Sequence, residues 1–314
     1  MSLQISGHTG LLGFFADPAA HSKSPFMYNT AFQKLGMDYV YLAFQIDQTS
    51  LADAIRSMRT LQMRGANVSM PNKTAVIQYL DDISTEARLC NAVNTIVNEN
   101  GRLIGYNTDG TGAMLALSHA GVSIQGKHLI ILGAGGAGTA IITQAALDGA
   151  SKISVFVRKQ SFWKSEDFLE KIRKKTGCRI ALLNLEDPDL LKAELVHADI
   201  LINATSIGME PNPDSCPVSD PKDLGDHLFV MDIIYSPEET TLLRYAKTAG
   251  LSCCNGLGML LYQGAAAFRL YTGEELPVED VRRAWASLHY KTEAANTKAG
   301  KHGTINTHDL QLRN

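Results

Sequence analysis

Gly133, Gly135 and Gly138 stand in the spacing G-x-G-x-x-G within HLIILGAGGAGTAII. That segment reads as an apolar strand, a turn and an apolar helix, the context in which this spacing binds a dinucleotide pyrophosphate. The first glycine permits the tight turn, the second lets the backbone approach the phosphates, and the third lets helix and strand pack closely. The helix N-terminus adds oriented N–H groups. The run Gly133-Ala134-Gly135-Gly136-Ala137 is therefore the expected cofactor cradle. A glycine turn that binds nothing has the same spacing, so the signal lies in the strand–turn–helix context. The next strand should read the ribose. An NAD site usually places Asp or Glu about 20 residues on, yet Arg158, Lys159 and Gln160 stand there, with no acid before Glu166. Guanidinium binds phosphate bidentately, so this pair favours the 2′-phosphate of NADP. Two solvated surface cations would look the same, and NAD stays open.

The other candidate residues lie upstream. In His21-Ser22-Lys23-Ser24-Pro25, proline suits a first helical position and Ser24 its N-cap. Ser22 and Ser24 together also offer two hydroxyls beside a helix N-terminus, which suits a carboxylate. Lys73 follows a short strand in GANVSMPNK, where a lysine is ordinarily solvated. Asn94 in NAVNT and Asp109 in GYNTDGTG are polar residues at strand ends that fit a turn cap and a helix cap equally well.

These residues need a frame. Strands are expected at Leu11–Ala16, Tyr39–Ile46 and Ala66–Val68, with helices at Pro25–Leu35, Leu51–Leu61 and about Asn72–Leu80. Val93–Val97 and Arg102–Tyr106 flank Asn100-Gly101, a dipeptide suited to a tight hairpin. After a helix at Thr111–Ala120, strands His128–Leu132, Lys152–Val157, Arg179–Leu183, Asp199–Asn203 and Leu228–Asp232 alternate with helices Ala137–Leu147, Phe168–Lys175 and Asp189–His197. Helices Leu257–Tyr271 and Val278–His289 follow, and 291–314 reads as a polar tail. Such alternation implies an α/β fold with parallel sheets covered on both faces.

Composition narrows the function. The chain has 314 residues, 45% hydrophobic and 19% charged, enough for about two domains. Its 29 Lys and Arg against 32 Asp and Glu give a net charge of −3, which excludes an electrostatically driven nucleic-acid binder and gives no reason for membrane binding. Five cysteines without a C-x-x-C pair, and nine scattered histidines, suggest neither a disulfide framework nor a metal site. No Lys or Arg precedes the short apolar run Leu11–Ala16, so it does not read as a secretory signal, and Leu129–Ala146 is too broken by glycine and polar residues to span a membrane. A cytoplasmic protein acting on a small molecule is expected.

Seven segments in order, HSKSP, GANVSMPNK, NAVNT, GYNTDGTG, GAGGAG, NATSIGM and GLGMLLYQGAAAF, resemble the shikimate dehydrogenase family over residues 11–290. The wording SMPNK and GMLLYQGA is similar to the quinate/shikimate branch. The resemblance implies that Ser22 and Ser24 hold a substrate carboxylate, and that Ser69, Asn94 and Gln263 bond ring hydroxyls. Tyr235 would stand beside the substrate, while Thr205, within 203–209, Ile233 and Gly256 would lie along the cofactor. Lys73 and Asp109 would flank the hydroxyl being oxidised, with Lys73 moving its proton. A neighbouring carboxylate favours an amine's charged form and burial its neutral form, so the balance between them would matter.

The chain departs from the family at Asn91 (usually glycine), Val157 (commonly asparagine), Gln160 (often an acid in the quinate branch) and Tyr28 (more usually histidine or glutamine), the last expected to reshape the carboxylate side of the pocket. The implied architecture has two domains: a discontinuous α/β substrate domain, residues 1–110 plus 256–290, and a Rossmann-type doubly wound parallel-sheet cofactor domain, 111–255. The implied enzyme interconverts 3-dehydroshikimate and shikimate with NADP, as a monomer or homodimer, with quinate and NAD as further possibilities. A non-catalytic sensor of the same fold would be expected to lose Lys73 or Asp109, and both are present. A folate-pathway dehydrogenase is disfavoured by the Ser-x-Ser and NTDG segments.

Overall fold

The computed structural model describes residues 5–287. The polar tail expected at 291–314, and the end of the helix expected at Val278–His289, lie outside them. In chain order the first sheet is built from β1 (Gly10–Ala16), β2 (Tyr39–Gln45), β3 (Gly65–Val68), β4 (Asp82–Ile83), β5 (Thr95–Glu99) and β6 (Arg102–Tyr106). Helices α1 (Ser24–Leu35), α2 (Leu51–Thr60) and α3 (Thr85–Cys90) connect them, and α4 (Asp109–His119) leads out. The second sheet contains β7 (His128–Leu132), β8 (Lys152–Val157), β9 (Arg179–Asn184), β10 (Ile200–Asn203), β11 (Phe229–Asp232) and β12 (Cys253–Cys254). Its helices are α5 (Gly136–Leu147), α6 (Phe162–Thr176), α7 (Pro188–Leu195) and α8 (Thr241–Thr248). Two helices follow, α9 (Leu257–Thr272) and α10 over 278–287.

The first sheet is mixed rather than parallel throughout. In its order β2-β1-β3-β5-β6-β4, the β1 pairs are parallel while β3–β5 and β5–β6 are antiparallel. The reversal occurs at Asn100-Gly101, whose φ values of 54° and 94° are the two positive angles a tight hairpin turn demands. The second sheet, β12-β11-β10-β7-β8-β9, is wholly parallel. Counted from β7 its order is the doubly wound 3-2-1-4-5-6, which puts the topological switch between β7 and β10. All five residues of β7 are buried. Leu129 and Ile131 enter the core on one face, Ile130 and Leu132 that on the other, as the period of two requires.

Three helical expectations change. Asn72–Leu80 is only a short 3-10 turn at Ala75–Tyr79, because Leu80 is extended and Val76 alone in that turn is buried. The helix expected from Phe168 begins at Phe162; its buried stripe is Ser165, Leu169 and Ile172, and a polar first member hides the apolar period. Ser24 is not the N-cap of α1. Lys23 takes that position without a side-chain capping bond, and Ser24 is the first helical residue.

Helices α4 and α9 bind the two sheets together. A Cβ on Gly110 would stand 2.4 Å from the Ala140 carbonyl oxygen of α5, and one on Gly112 would stand 2.5 Å from the Gln263 nitrogen of α9. Met259 and Tyr262 of α9 enter the second sheet's core, whereas Leu261, Phe268 and Tyr271 enter the first sheet's.

Candidate active site

Because β6 reverses β5, the residues following β1, β3 and β6 and those preceding β5 emerge at one edge of the first sheet. They face the residues after β11 and the start of α9 across a cavity of about 280 Å³. Ser22, Ser24, Ser69, Lys73, Asn94, Asp109, Tyr235 and Gln263 all line it, and so do Ile233 and Gly256. Every residue expected to touch substrate is thus in one place, with two of those expected along the cofactor.

Lys73 and Asp109 form an ion pair within this lining. Lys73 Nζ lies 2.5 Å from Asp109 Oδ2, and the side chains are 18% and 10% exposed. Asn94 Nδ2 donates to the other oxygen, Oδ1, at 2.7 Å, while the Asp109 N–H donates to Asn107 Oδ1 at 3.1 Å. Asn94 is held in turn: its Oδ1 accepts from the Thr108 N–H and the Thr95 hydroxyl, both at 2.9 Å. Its Nδ2 also donates to Thr108 Oγ1 at 3.0 Å. With its carboxamide so occupied, Asn94 reaches a ligand only by exchanging one of these bonds, and what the geometry gives it is the orientation of Asp109.

The support extends into the core through residues not expected from the sequence. Asn67 Nδ2 donates to Thr95 Oγ1 at 3.1 Å, and Asn67 Oδ1 accepts from the Tyr41 hydroxyl at 2.7 Å. Burial pushes the Tyr41 phenol well above its ordinary range, so it remains a donor and fixes which way Asn67 points. A polar chain therefore runs from Tyr41 through Asn67, Thr95 and Asn94 to Asp109 and Lys73.

At the expected carboxylate side, Ser22 Oγ accepts from the Ser24 N–H at 3.2 Å. Tyr28 is not part of this lining. It lies on the inner face of α1, fully buried, stacked 4.5 Å from Tyr41 and donating its hydroxyl hydrogen to the Gly264 carbonyl at 3.1 Å. Asn91 ends α3 in the left-handed region at φ 51°, a position glycine would also fill, so that departure leaves the turn intact.

The glycine turn fits a dinucleotide. Gly133 has φ 92°, and a Cβ on Gly138 would lie 2.3 Å from the Gly133 carbonyl oxygen, whereas Cβ atoms on Gly135 and Gly136 would meet open space. The backbone of Ala134 and Ala137 completes this cradle at the head of α5. Thr205, after β10, packs against Gly133 and bonds Asn203 Oδ1 through its hydroxyl at 2.7 Å. Arg158 and Lys159 are exposed directly after β8, beyond buried Val157, and do not line the 280 Å³ cavity. The Lys159 N–H donates to Glu186 Oε2 at 3.3 Å.

Asp232 was missed. Fully buried, it accepts from Thr240 Oγ1 at 2.7 Å and from Asn203 Nδ2 and the Ile234 N–H at 3.1 Å each, pinning β10 to the segment that carries Ile233. Burial raises its carboxyl above the ordinary range. The signal was an acid ending the apolar run LFVMD. Among the described residues no group of His, Cys, Asp and Glu is arranged to hold a metal, and no helix is long and apolar enough to cross a membrane.

Comparison with known proteins agrees with this geometry. Residues 14–96 match the shikimate dehydrogenase substrate binding domain, and residues 256–284 the shikimate 5′-dehydrogenase C-terminal domain. A shikimate dehydrogenase (NADP+) from Streptococcus uberis is 48% identical over 286 residues, covering 90% of this chain and 97% of the relative. The crystal structure of shikimate 5-dehydrogenase from Listeria monocytogenes in complex with shikimate and NAD superimposes with a TM-score of 0.88 at 46% identity, covering 91% of this chain and 99% of that one. That of Thermus thermophilus in complex with NADP(H) and shikimate gives 0.75 at 34% identity, covering 88% and 99%. With such likeness along nearly the whole length of these relatives, the chain belongs to the shikimate dehydrogenase family.

Proposed function

We propose that the protein catalyses the reversible NADP-dependent oxidation of shikimate to 3-dehydroshikimate, a step toward chorismate and the aromatic amino acids. The observation that carries this is the partly buried Lys73–Asp109 pair in a cavity that also reaches Ile233 and Gly256. A bound nicotinamide dinucleotide supplies hydride acceptance and return. A hydroxyl that loses hydride from carbon must also release a proton from oxygen. Lys73 Nζ takes that proton in oxidation and returns it in reduction, and Asp109, fixed by Asn94, keeps the amine in place. Ser22 and Ser24 hold the carboxylate, Ser69 and Gln263 bond ring hydroxyls together with Asn94, and Tyr235 closes the side. Residues 133–137 take the pyrophosphate, Thr205 borders it, and Arg158 with Lys159 takes the 2′-phosphate. On this reading 1–110 with 256–290 forms the substrate domain and 111–255 the cofactor domain of a cytoplasmic monomer or homodimer.

NAD use is a second reading, favoured by the carboxylate of Glu186 on the Lys159 N–H, while Val157 and Gln160 depart from the family on either side of the cationic pair. Initial rates with shikimate or quinate, each paired with NADP+ or NAD+, test both. Shikimate with NADP+ should give the highest kcat/KM. Turnover with NAD+ alone refutes the roles of Arg158 and Lys159, and an absence of turnover in all four pairs refutes the enzyme.

A further inference from the structure

Lys23 goes against the local preferences of the helix it precedes. It occupies the N-cap of α1, where Ser, Thr, Asp or Asn would satisfy free N–H groups, and its side chain makes no capping bond. Its charge also opposes the positive end of the helix dipole. Residues that break a local rule in an otherwise consistent sequence concentrate at functional sites.

Two observations indicate which function. Lys23 lines the cavity between Ser22 and Ser24, and among the described residues it has no carboxylate partner, whereas the cavity's other lysine, Lys73, is paired with Asp109. Its Nζ also lies 5.9 Å from the ring centroid of Trp285 in α10, and that ring meets Phe26 edge-on at 6.2 Å. That separation is within cation–π range, so the ring restrains the ammonium of a residue that lines the cavity. Serine hydroxyls and helix amides bond a carboxylate without neutralising it. Lys73 is engaged by Asp109 and reserved for the proton of the reacting hydroxyl, which leaves Lys23 as the cavity lysine available to an incoming anion.

We infer that Lys23, restrained by Trp285, is a specificity-determining residue that draws the carboxylate-bearing substrate into the cavity and favours it over neutral analogues. Helix α10 thereby takes part in substrate recognition. The inference rests on reading this cavity as the shikimate site. An exposed charge acting on an anion changes association and salt dependence more than the chemical step.

The test compares shikimate with its uncharged methyl ester, at saturating NADP+ and at low and high ionic strength, in wild type, Lys23→Met, Lys23→Arg and Trp285→Leu. In Lys23→Met, kcat/KM for shikimate should fall about three- to fivefold, carried by KM rather than kcat, while the ester's value holds and the salt dependence flattens. Lys23→Arg should restore the acid-to-ester ratio, and Trp285→Leu should lower it by less than Lys23→Met. An equal fall for acid and ester, or an unchanged shikimate KM, overturns the role of Lys23 while leaving the enzyme reading intact. A wild-type protein that turns over neither compound overturns both.

Discussion

Both oxygens of Asp109 are held, Oδ2 by Lys73 and Oδ1 by Asn94, so the carboxylate is fixed in orientation and keeps Lys73 Nζ at one place in the cavity. The Lys73–Asp109 pair was legible as residue types within recognisable segments. Its support was not, since Asn67 and Thr95 meet only because β3 and β5 pair in antiparallel register, Asn67 opposite Thr95. No local pattern in GANV or TIVNE reveals that pairing. At the cofactor end, Arg158 stands exposed after β8, where a guanidinium can take a phosphate bidentately. Arg158→Ala should raise KM for NADP+ about tenfold, a loss of about 1.4 kcal/mol, and leave KM for NAD+ within about twofold. Equal losses for both cofactors in steady-state kinetics would show that Arg158 serves some part of the dinucleotide other than the 2′-phosphate.

The glycines of the turn before α5 separate packing from binding. Gly135 has φ −77°, open to any residue, and a Cβ there meets nothing within 4 Å. A Cβ on Gly138 would stand 2.3 Å from a backbone oxygen, which cannot move aside cheaply. Gly135→Ala should therefore keep the wild-type Tm and raise KM for NADP+ at least about tenfold. Gly138→Ala should lower stability by about 1–3 kcal/mol in denaturant unfolding. The reverse pattern would mean that the turn binds no pyrophosphate.

The first residue of β7 gives a pH dependence. His128 is buried, with Nδ1 3.1 Å from the His197 carbonyl and Nε2 2.9 Å from Ser154 Oγ, and with Lys152, Glu194 and Asp199 around it. Burial lowers its pKa, offset in part by the carbonyl and the two carboxylates. The unfolded chain binds a proton near pH 6.5 that the folded chain resists, so this contribution is present above about 6.5 and is lost as pH falls below it. Between pH 7 and pH 5.5, His128→Gln should lose less in Tm than wild type. An equal loss would assign the acid sensitivity to other groups.

For the whole molecule, the second sheet was legible because its central strands β7 and β8 are buried almost throughout and each is followed by a helix. The first was less so: its mixed order depends on one hairpin and on β4, whose two residues carry no periodicity. The same brevity hid β12. Helix α9 reads as a single apolar helix, yet it serves two cores, because Met259 and Tyr262 face one and Phe268 and Tyr271 the other. Only the assembled sheets show that Gly256 and Ile233 meet, the Gly256 N–H bonding the Ile234 carbonyl at 3.0 Å, so that the cofactor side opens directly onto Lys73.

In the proposed mechanism, turnover depends on proton exchange at Lys73. The decisive measurement pairs kcat for shikimate oxidation by NADP+ with a calorimetric Kd for shikimate, in wild type and Lys73→Ala. Proton transfer by a positioned group accounts for about a hundred- to ten-thousandfold in rate, so kcat should fall by that much while Kd stays within about threefold. A variant whose kcat remains within about threefold of wild type would contradict the assignment.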